Sequence, residues 1–568
     1  MKLAFNKIIL VLLSTLMVLA IAMPISAQDT GPKPSLTINK LEEGDTVTAY
    51  KVINAVYDKG GKFDYFEWND NFIEKIKELE NVANGNQYIE NFDKDPNSKK
   101  VALAFSELHN NGPEIKKFSL EIASFISMNN NIQSNFRKIV GASENNVVIP
   151  SDKVQKHDGA YIIFINGNGG RIFNPIFYPL TIDDPGITGN ETIIDAKCET
   201  VTLSKLVSDD GNTFGKTASV GIGDEITYKV TFQVPDYVDS NPSKIVKLSD
   251  TPKNGITLGD VKDVSILTAN NENVSEFFDV NISDTNLGIT LKANDAYGNL
   301  NVKLNAANSR ELTVTYKAKV NDNASEDVIV DNVVNNMTNE VTYEFNSQQY
   351  INDPKQLKDS TTLHTYGINL TKKAYYGTDK KSEVSPIGAI FKIYKGETTT
   401  NDPLVFSKTE NGVETVYKLL EDQNSNVDNT KNYYNEIKVS KNDEKIKIEG
   451  LDTGKYTIKE IKAPDGNFVI PLKPETIINL ADSDINGELD DIDQDNRNSA
   501  TGTNVGSSKI NDTNLNEFDV QIDNFMGEFN IPNTGSTGTM VFTVGGMLLM
   551  AGALVVIIIS TRNRKNRQ

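Results

Sequence analysis

Residues 540–559 form an apolar run without one charged side chain, and Arg562, Arg564, Lys565 and Arg567 follow it directly. A helix of that length crosses a hydrocarbon core of about 30 Å. The cations behind it are retained on the cytoplasmic side, so the chain upstream must fold beyond the membrane. A buried core helix is the alternative for such a run, but its terminal position and basic flank argue against that. The other end agrees. Lys2 and Lys7, an apolar stretch over 8–21 and then Pro24-Ile25-Ser26-Ala27 have the layout of a secretory signal cleaved after Ala27. The working chain is then roughly 28–534, enough for about three or four domains.

Extracellular domains commonly rely on disulfides, yet Cys198 is the sole cysteine and cannot form an internal bridge. Reinforcement must come from another chemistry. Cys198 itself reads either as a small half-buried apolar residue or as a site for an intermolecular disulfide. With 57 Lys plus Arg against 77 Asp plus Glu the net charge is -20, a shell that repels nucleic acid and anionic membrane. The three histidines, His109, His157 and His364, lie far apart without metal-ligand spacing. No Gly-x-Ser-x-Gly, His-Glu-x-x-His or phosphate loop is present. A turnover enzyme, a cofactor and a metal site are therefore not expected. The acidic run over 488–495 raises calcium, but it lacks the Gly and distal Glu of an EF-hand loop and reads as a solvated loop.

In chain order, 36–40 and 46–53 alternate loosely between apolar and polar, which predicts two strands joined by the Glu43-Gly44-Asp45 turn. Helical spacing follows in Phe72, Ile73, Ile76 and Leu79, in Val101, Ala104, Phe105 and Leu108, and in Ile115, Phe118, Ile122, Phe125 and Ile126. Strand patterning returns at 161–165 and 173–182, making 28–197 a mixed first unit. From Cys198 onward helical spacing disappears, and strands are expected at 201–207, 225–234, 243–250, 311–319 and 339–345, separated by turn clusters. Regular strands with turns imply an antiparallel sandwich over 198–358. A second all-β unit, 359–530, opens near Ser360 and includes 389–394 and 455–460. Two polar stretches, 396–446 and 483–516, interrupt it, the second read as a long loop or partly disordered insertion.

The pentapeptide Ile531-Pro532-Asn533-Thr534-Gly535 just ahead of the apolar run resembles the Leu-Pro-x-Thr-Gly sorting signal of Gram-positive cell-wall proteins, with Ile531 for Leu. The resemblance implies that a sortase cuts between Thr534 and Gly535 and passes the Thr534 carboxyl to an amine, discarding the span. Lys455-Tyr456-Thr457-Ile458-Lys459-Glu460-Ile461-Lys462-Ala463-Pro464-Asp465-Gly466 resembles the E-box of Gram-positive pilins and collagen-adhesin B-type domains, with Ile461 and Asn467 at positions usually Thr and Tyr. In that family a glutamate promotes a spontaneous amide between a lysine of the first strand and an asparagine of the last. The physical basis is burial. A lysine in an apolar core shifts toward its neutral amine and a carboxyl beside it toward its neutral acid, and folding supplies the proximity.

Carried onto this chain, 367–372 resembles the opening strand and 518–524 the closing one, so the resemblance implies Lys372 as nucleophile, Glu460 as catalyst and Asn524 as acceptor. The middle unit resembles the pilin domain type that uses aspartate, implying Lys205, Asp250 and Asn339, with Asn332, Asn335 and Asn336 as competing acceptors. The family's polymerising lysine falls at the end of the first domain, where this chain has Lys197 without the usual Tyr-Pro. The fold class that follows is mainly β: tandem Ig-like, collagen-adhesin A/B-type sandwiches behind a mixed α+β N-terminal domain, with the sorting signal at 531–568. The function implied is the shaft subunit of a covalent surface pilus. Its partners would be pilus-specific and housekeeping sortases, identical subunits, accessory pilins, peptidoglycan and host surface ligands. A monomeric wall-anchored adhesin with the first unit as head shares every feature except polymerisation through Lys197.

Overall fold

A computed structural model describes residues 33–82 and 113–526 apart from short internal stretches, together with Met550 and Ala553. The secretory signal, the helix expected around Val101 and Leu108, and Thr534 and Gly535 lie outside the described residues. Among the described residues the chain is mainly β, with the α-helices Ile73–Val82 and Pro113–Met128 in its first part and Asn294–Ala306 in its middle part.

In the first part, Thr46–Tyr57 is the centre of a five-stranded sheet, flanked by Phe63–Trp68 and His157–Asn166, with Ile176–Thr181 beyond and Phe136–Ile139 at one end. The strand expected over 173–182 is broken into Arg171–Phe173 and Ile176–Thr181, on either side of Pro175. The helices Ile73–Val82 and Pro113–Met128 cover one face with Ile76, Ile115, Phe118, Ile122 and Ile126, against Trp68 and Phe177. That is the stripe the helical spacing predicts. On the other face Val47, Ala49, Ile163 and Ile165 pack with Leu36, Ile38, Val147 and Ile149 of a separate three-stranded sheet. Here the expected hairpin fails. The turn is present, with Gly44 at φ 88 and the Asp45 carboxylate accepting the Glu42 N–H, but Ser35–Asn39 pairs with Asn146–Pro150 and Glu191–Asp195. Alternation fixes which face a strand buries, not which strand it joins.

The middle part is two facing sheets. One is built on Leu203–Ser208, Glu225–Gln233 and Glu311–Val320, the other on Pro354–His364, Met337–Asn346, Val246–Pro252 and Asn286–Leu291. Thr361 and His364, expected at the start of the last unit, therefore pair in the middle sheet, opposite Asn339 and residues near Ser219. A helix not anticipated here, Asn294–Ala306, carries Asn and Gly298 but buries Tyr297, Leu300 and Leu304 on one side. Tyr297 donates to the Pro235 carbonyl at 2.8 Å. Packing of three residues outweighs weak propensity.

In the last part, Tyr366–Tyr376 and Glu517–Met526 lie side by side, parallel, in an eight-stranded sheet. A five-stranded sheet containing Ile390–Lys395, Gly454–Lys462 and Glu475–Leu480 faces it. The polar stretches are not plain loops, since Phe406–Asn411, Glu414–Leu419 and Val505–Ile510 are strands within them.

Middle and last parts meet closely. The Ile222 N–H donates to the Gly450 carbonyl at 2.9 Å, and a Cβ on Gly450, at φ 82, would lie 2.5 Å from Ile222 Cδ1. At this junction burial, and then the negative charge of Asp224, push the Asp452 carboxyl up to about 6. The unfolded chain releases this proton near 3.8 while the folded one holds it to about 6, so stability falls as pH rises across that window. Asp452→Asn should therefore raise the stability of the chain at pH 7 by up to about 3 kcal/mol and add little at pH 4. Thermal melts at the two pH values check this.

Candidate cross-linking sites

Lys372 and Asn524 reach one another because their strands are neighbours in register: Lys372 faces Ile522 and Ala374 faces Asn524. Alternation turns Leu370, Lys372 and Ala374 inward together with Val520, Ile522 and Asn524. The Lys372 ammonium nitrogen contacts Asn524 Oδ1 and lies 3.2 Å from the Ile522 carbonyl. Glu460 comes from the opposite sheet, paired with Phe391, and its Oε1 is 3.9 Å from Lys372 Nζ. Both side chains are about 1% exposed. Burial pulls the Lys372 amine down and pushes the Glu460 carboxyl up, each opposed by the charge of the other. Neither Glu460 oxygen completes a hydrogen bond among the described residues, nor does Asn524 Nδ2. Unsatisfied buried groups of this kind are costly and call for an explanation.

The middle site has a different layout. Lys205 is in one sheet, while Asp250 and Asn339 are on adjacent strands of the facing sheet, where Asp250 pairs with Val341 and Pro252 with Asn339. The Lys205 ammonium contacts Asp250 Oδ2, which also accepts the Tyr316 hydroxyl at 2.5 Å. The amine sits 4.7 Å from the Tyr228 ring centroid and 5.9 Å from that of Tyr316. Burial pulls Lys205 down to about 8 against the opposing charge of Asp250. Asn339 is fully buried, with the Tyr228 and Tyr316 hydroxyls close enough to interact with its amide but not in good hydrogen-bond geometry. The tyrosines walling this pocket had no mark in the sequence beyond strand alternation. Asn332, Asn335 and Asn336 lie outside the described residues.

Lys197 is exposed, just after Glu191–Asp195 and ahead of the strand Leu203–Ser208 that carries the buried Lys205. Cys198 is exposed rather than half-buried. The calcium question starts earlier than the run at 488–495: oxygens of Asp482, Asp484 and Asp490 lie within 4.8 Å of one another. Counted from Asp482, the loop reads Asp-x-Asp-x-Asn-Gly with Gly487 sixth, an order missed by starting at Glu488. Protein donors already serve these carboxylates, Tyr366 and the Gly487 N–H on Asp482, Ser483 and Arg497 on Asp490.

Residues 527–567 match the LPXTG cell wall anchor motif. Across 579 aligned residues, 95% of this chain and 96% of its relative, the chain is 27% identical to the trypsin-resistant surface T6 protein of Streptococcus pyogenes serotype M6. The chain resembles a Gram-positive backbone pilin. The solved T6 backbone pilin, a modular three-domain structure, shares its fold over 87% of this chain and 99% of that one, with a TM-score of 0.51 and 18% identity. The major pilin SpaD of Corynebacterium diphtheriae aligns over 87% of this chain and 98% of its own, with a TM-score of 0.45 and 13% identity. Anchor motif and pilin relative place the chain at the cell-wall surface.

Proposed function

We propose that this protein is the shaft subunit of a covalently polymerised surface pilus, with two β units closed by internal Lys-Asn amides. The observation that carries the reading is a buried lysine in contact with a buried asparagine, on the first and last strands of one sheet, with a buried carboxyl of the facing sheet 3.9 Å from the amine. The neutral Lys372 amine attacks Asn524 Cγ, Glu460 hydrogen-bonds the amide and relays a proton, and ammonia leaves. Lys205, Asp250 and Asn339 do the same in the middle unit. One turnover per molecule suffices, so the chain is a structural protein and not an enzyme. No cofactor enters the chemistry. Sortase then transfers the Thr534 carboxyl, freed from Gly535, to Lys197 of the next subunit, and the last subunit to peptidoglycan.

Polymerisation separates this reading from a monomeric adhesin. Wall extracts should give a ladder of high-mass species that collapses to a single band with Lys197→Ala. A single band already in the unmodified strain would overturn the shaft reading, and a ladder untouched by Lys197→Ala would overturn only the choice of lysine.

A further inference from the structure

Three lysines are buried among the described residues, one in each part of the chain: Lys51, Lys205 and Lys372. The last two belong to the sites above. Lys51 does not, and its surroundings are as specific. Its Nζ is 2.7 Å from Asp158 Oδ1 and 2.8 Å from Asp152 Oδ1. Asp158 is 1% exposed, whereas the Asp152 side chain stands at the rim, 63% exposed. The second oxygen of Asp158 accepts the Tyr161 hydroxyl at 2.8 Å and the Asp152 backbone N–H at 3.3 Å.

The backbone is shaped to bring these groups together. Thr46–Tyr57 and His157–Asn166 pair with Lys51 opposite Tyr161, and a bulge follows between Lys51 and Ile53. Lys51 keeps to the face of Val47 and Ala49, while the extra residue re-aims the strand beyond it. Asp158 is followed by Gly159 at φ 134, where a Cβ would lie 2.0 Å from the Ile53 carbonyl oxygen. Only glycine permits that approach.

We propose that Lys51 and Asp158 condense to a side-chain amide in the folded first unit, losing water. The proposal extends the cross-linking chemistry read in the other two units, but to residues of its own and to an aspartate acceptor. Asp152 takes a proton from the Lys51 ammonium, and the freed amine attacks Asp158 Cγ. Oδ1, with its own hydrogen and one from the nitrogen, leaves as water. Oδ2 becomes the amide oxygen, and the charge it gains in the transition state is met by the Tyr161 hydroxyl and the Asp152 N–H, an oxyanion site already formed. Asp152 then releases its proton to solvent. Burial pushes the Asp158 carboxyl up toward the neutral acid that brings its own hydrogen, while its hydrogen bond to Asp152 holds the latter down to about 2, ionised beside the ammonium but a weak proton acceptor.

The test uses the full chain accumulated in cells lacking sortase, digested and analysed by mass spectrometry. The expected result is a linked pair of peptides containing Lys51 and Asp158, one water lighter than their sum. In Lys51→Arg that pair should vanish while peptides linked through Asn524 and Asn339 persist. Recovery of the Lys51 and Asp158 peptides only in unlinked form from the unmodified chain overturns the proposal, whatever the variant's folding. Presence of the water-loss link without the ammonia-loss links would overturn the reading of the other two units and leave this one standing.

Discussion

Glu460→Gln is expected to leave the last unit without its internal bond, raising the mass of the chain by one ammonia and lowering the melting temperature of that unit by about 10–20 °C. Lys372 and Asn524 are 152 residues apart, and on the chain-entropy view a link closing a loop of that length removes about 5 kcal/mol of freedom from the unfolded state. For a unit of roughly 150 residues each kcal/mol corresponds to about 2–4 °C. Glutamine fills nearly the same volume, so a packing defect is not the source of the effect. What it lacks is the acidic proton. Its amide can hydrogen-bond Asn524 but cannot pass a proton to the departing ammonia. Mass spectrometry and calorimetry on the same preparation check both halves. An unchanged mass would remove Glu460 from the chemistry, and a restored ammonia with an unchanged melt would remove the bond from the stability of the unit.

Much of this architecture was legible because the relevant strands alternate cleanly. Leu370, Lys372 and Ala374 share one parity, as do Val520, Ile522 and Asn524, but it was the resemblance to the family's opening and closing strands, not this alternation, that pointed to Lys372 and Asn524. Pairing itself was less accessible. Ser35–Asn39 looked like half of a hairpin and joins another sheet, because alternation records burial and not partner. The helix Asn294–Ala306 was hidden by its own composition, with three buried residues doing the packing. Lys51 was invisible for a related reason. Its partner Asp158 precedes a glycine whose role depends on a backbone crossing at Ile53, and a bulge carries no spacing signature in a single sequence. Asp482 was missed for a simpler one, since the acidic run drew attention to its densest part and not to its start.

Asn339→Ala should make the middle unit both weaker and pH-sensitive. A Lys205–Asn339 link closes a loop of about 130 residues, so its loss is expected to cost about 5 kcal/mol. The second effect is more diagnostic. Once joined as an amide, Lys205 has no titrating amine, and the stability of the unmodified unit should not change with pH through that group. In the variant the amine is free, buried and pulled down to about 8, against 10.5 when exposed. Below pH 8 both folded and unfolded chains hold the proton, and the folded state bears the full cost of a buried charge. Between 8 and 10.5 the unfolded chain holds more protons than the folded one, so stability rises with pH, by about 3 kcal/mol over the window. Denaturant titrations of the two proteins from pH 7 to 10.5 should give a rising difference in slope attributable to Lys205. A flat response in the variant, with Lys205 still found linked, would move the acceptor to a neighbouring asparagine. The same rise in the unmodified protein would mean that Lys205 remains a free amine and that the middle unit is held by its contact with Asp250 alone.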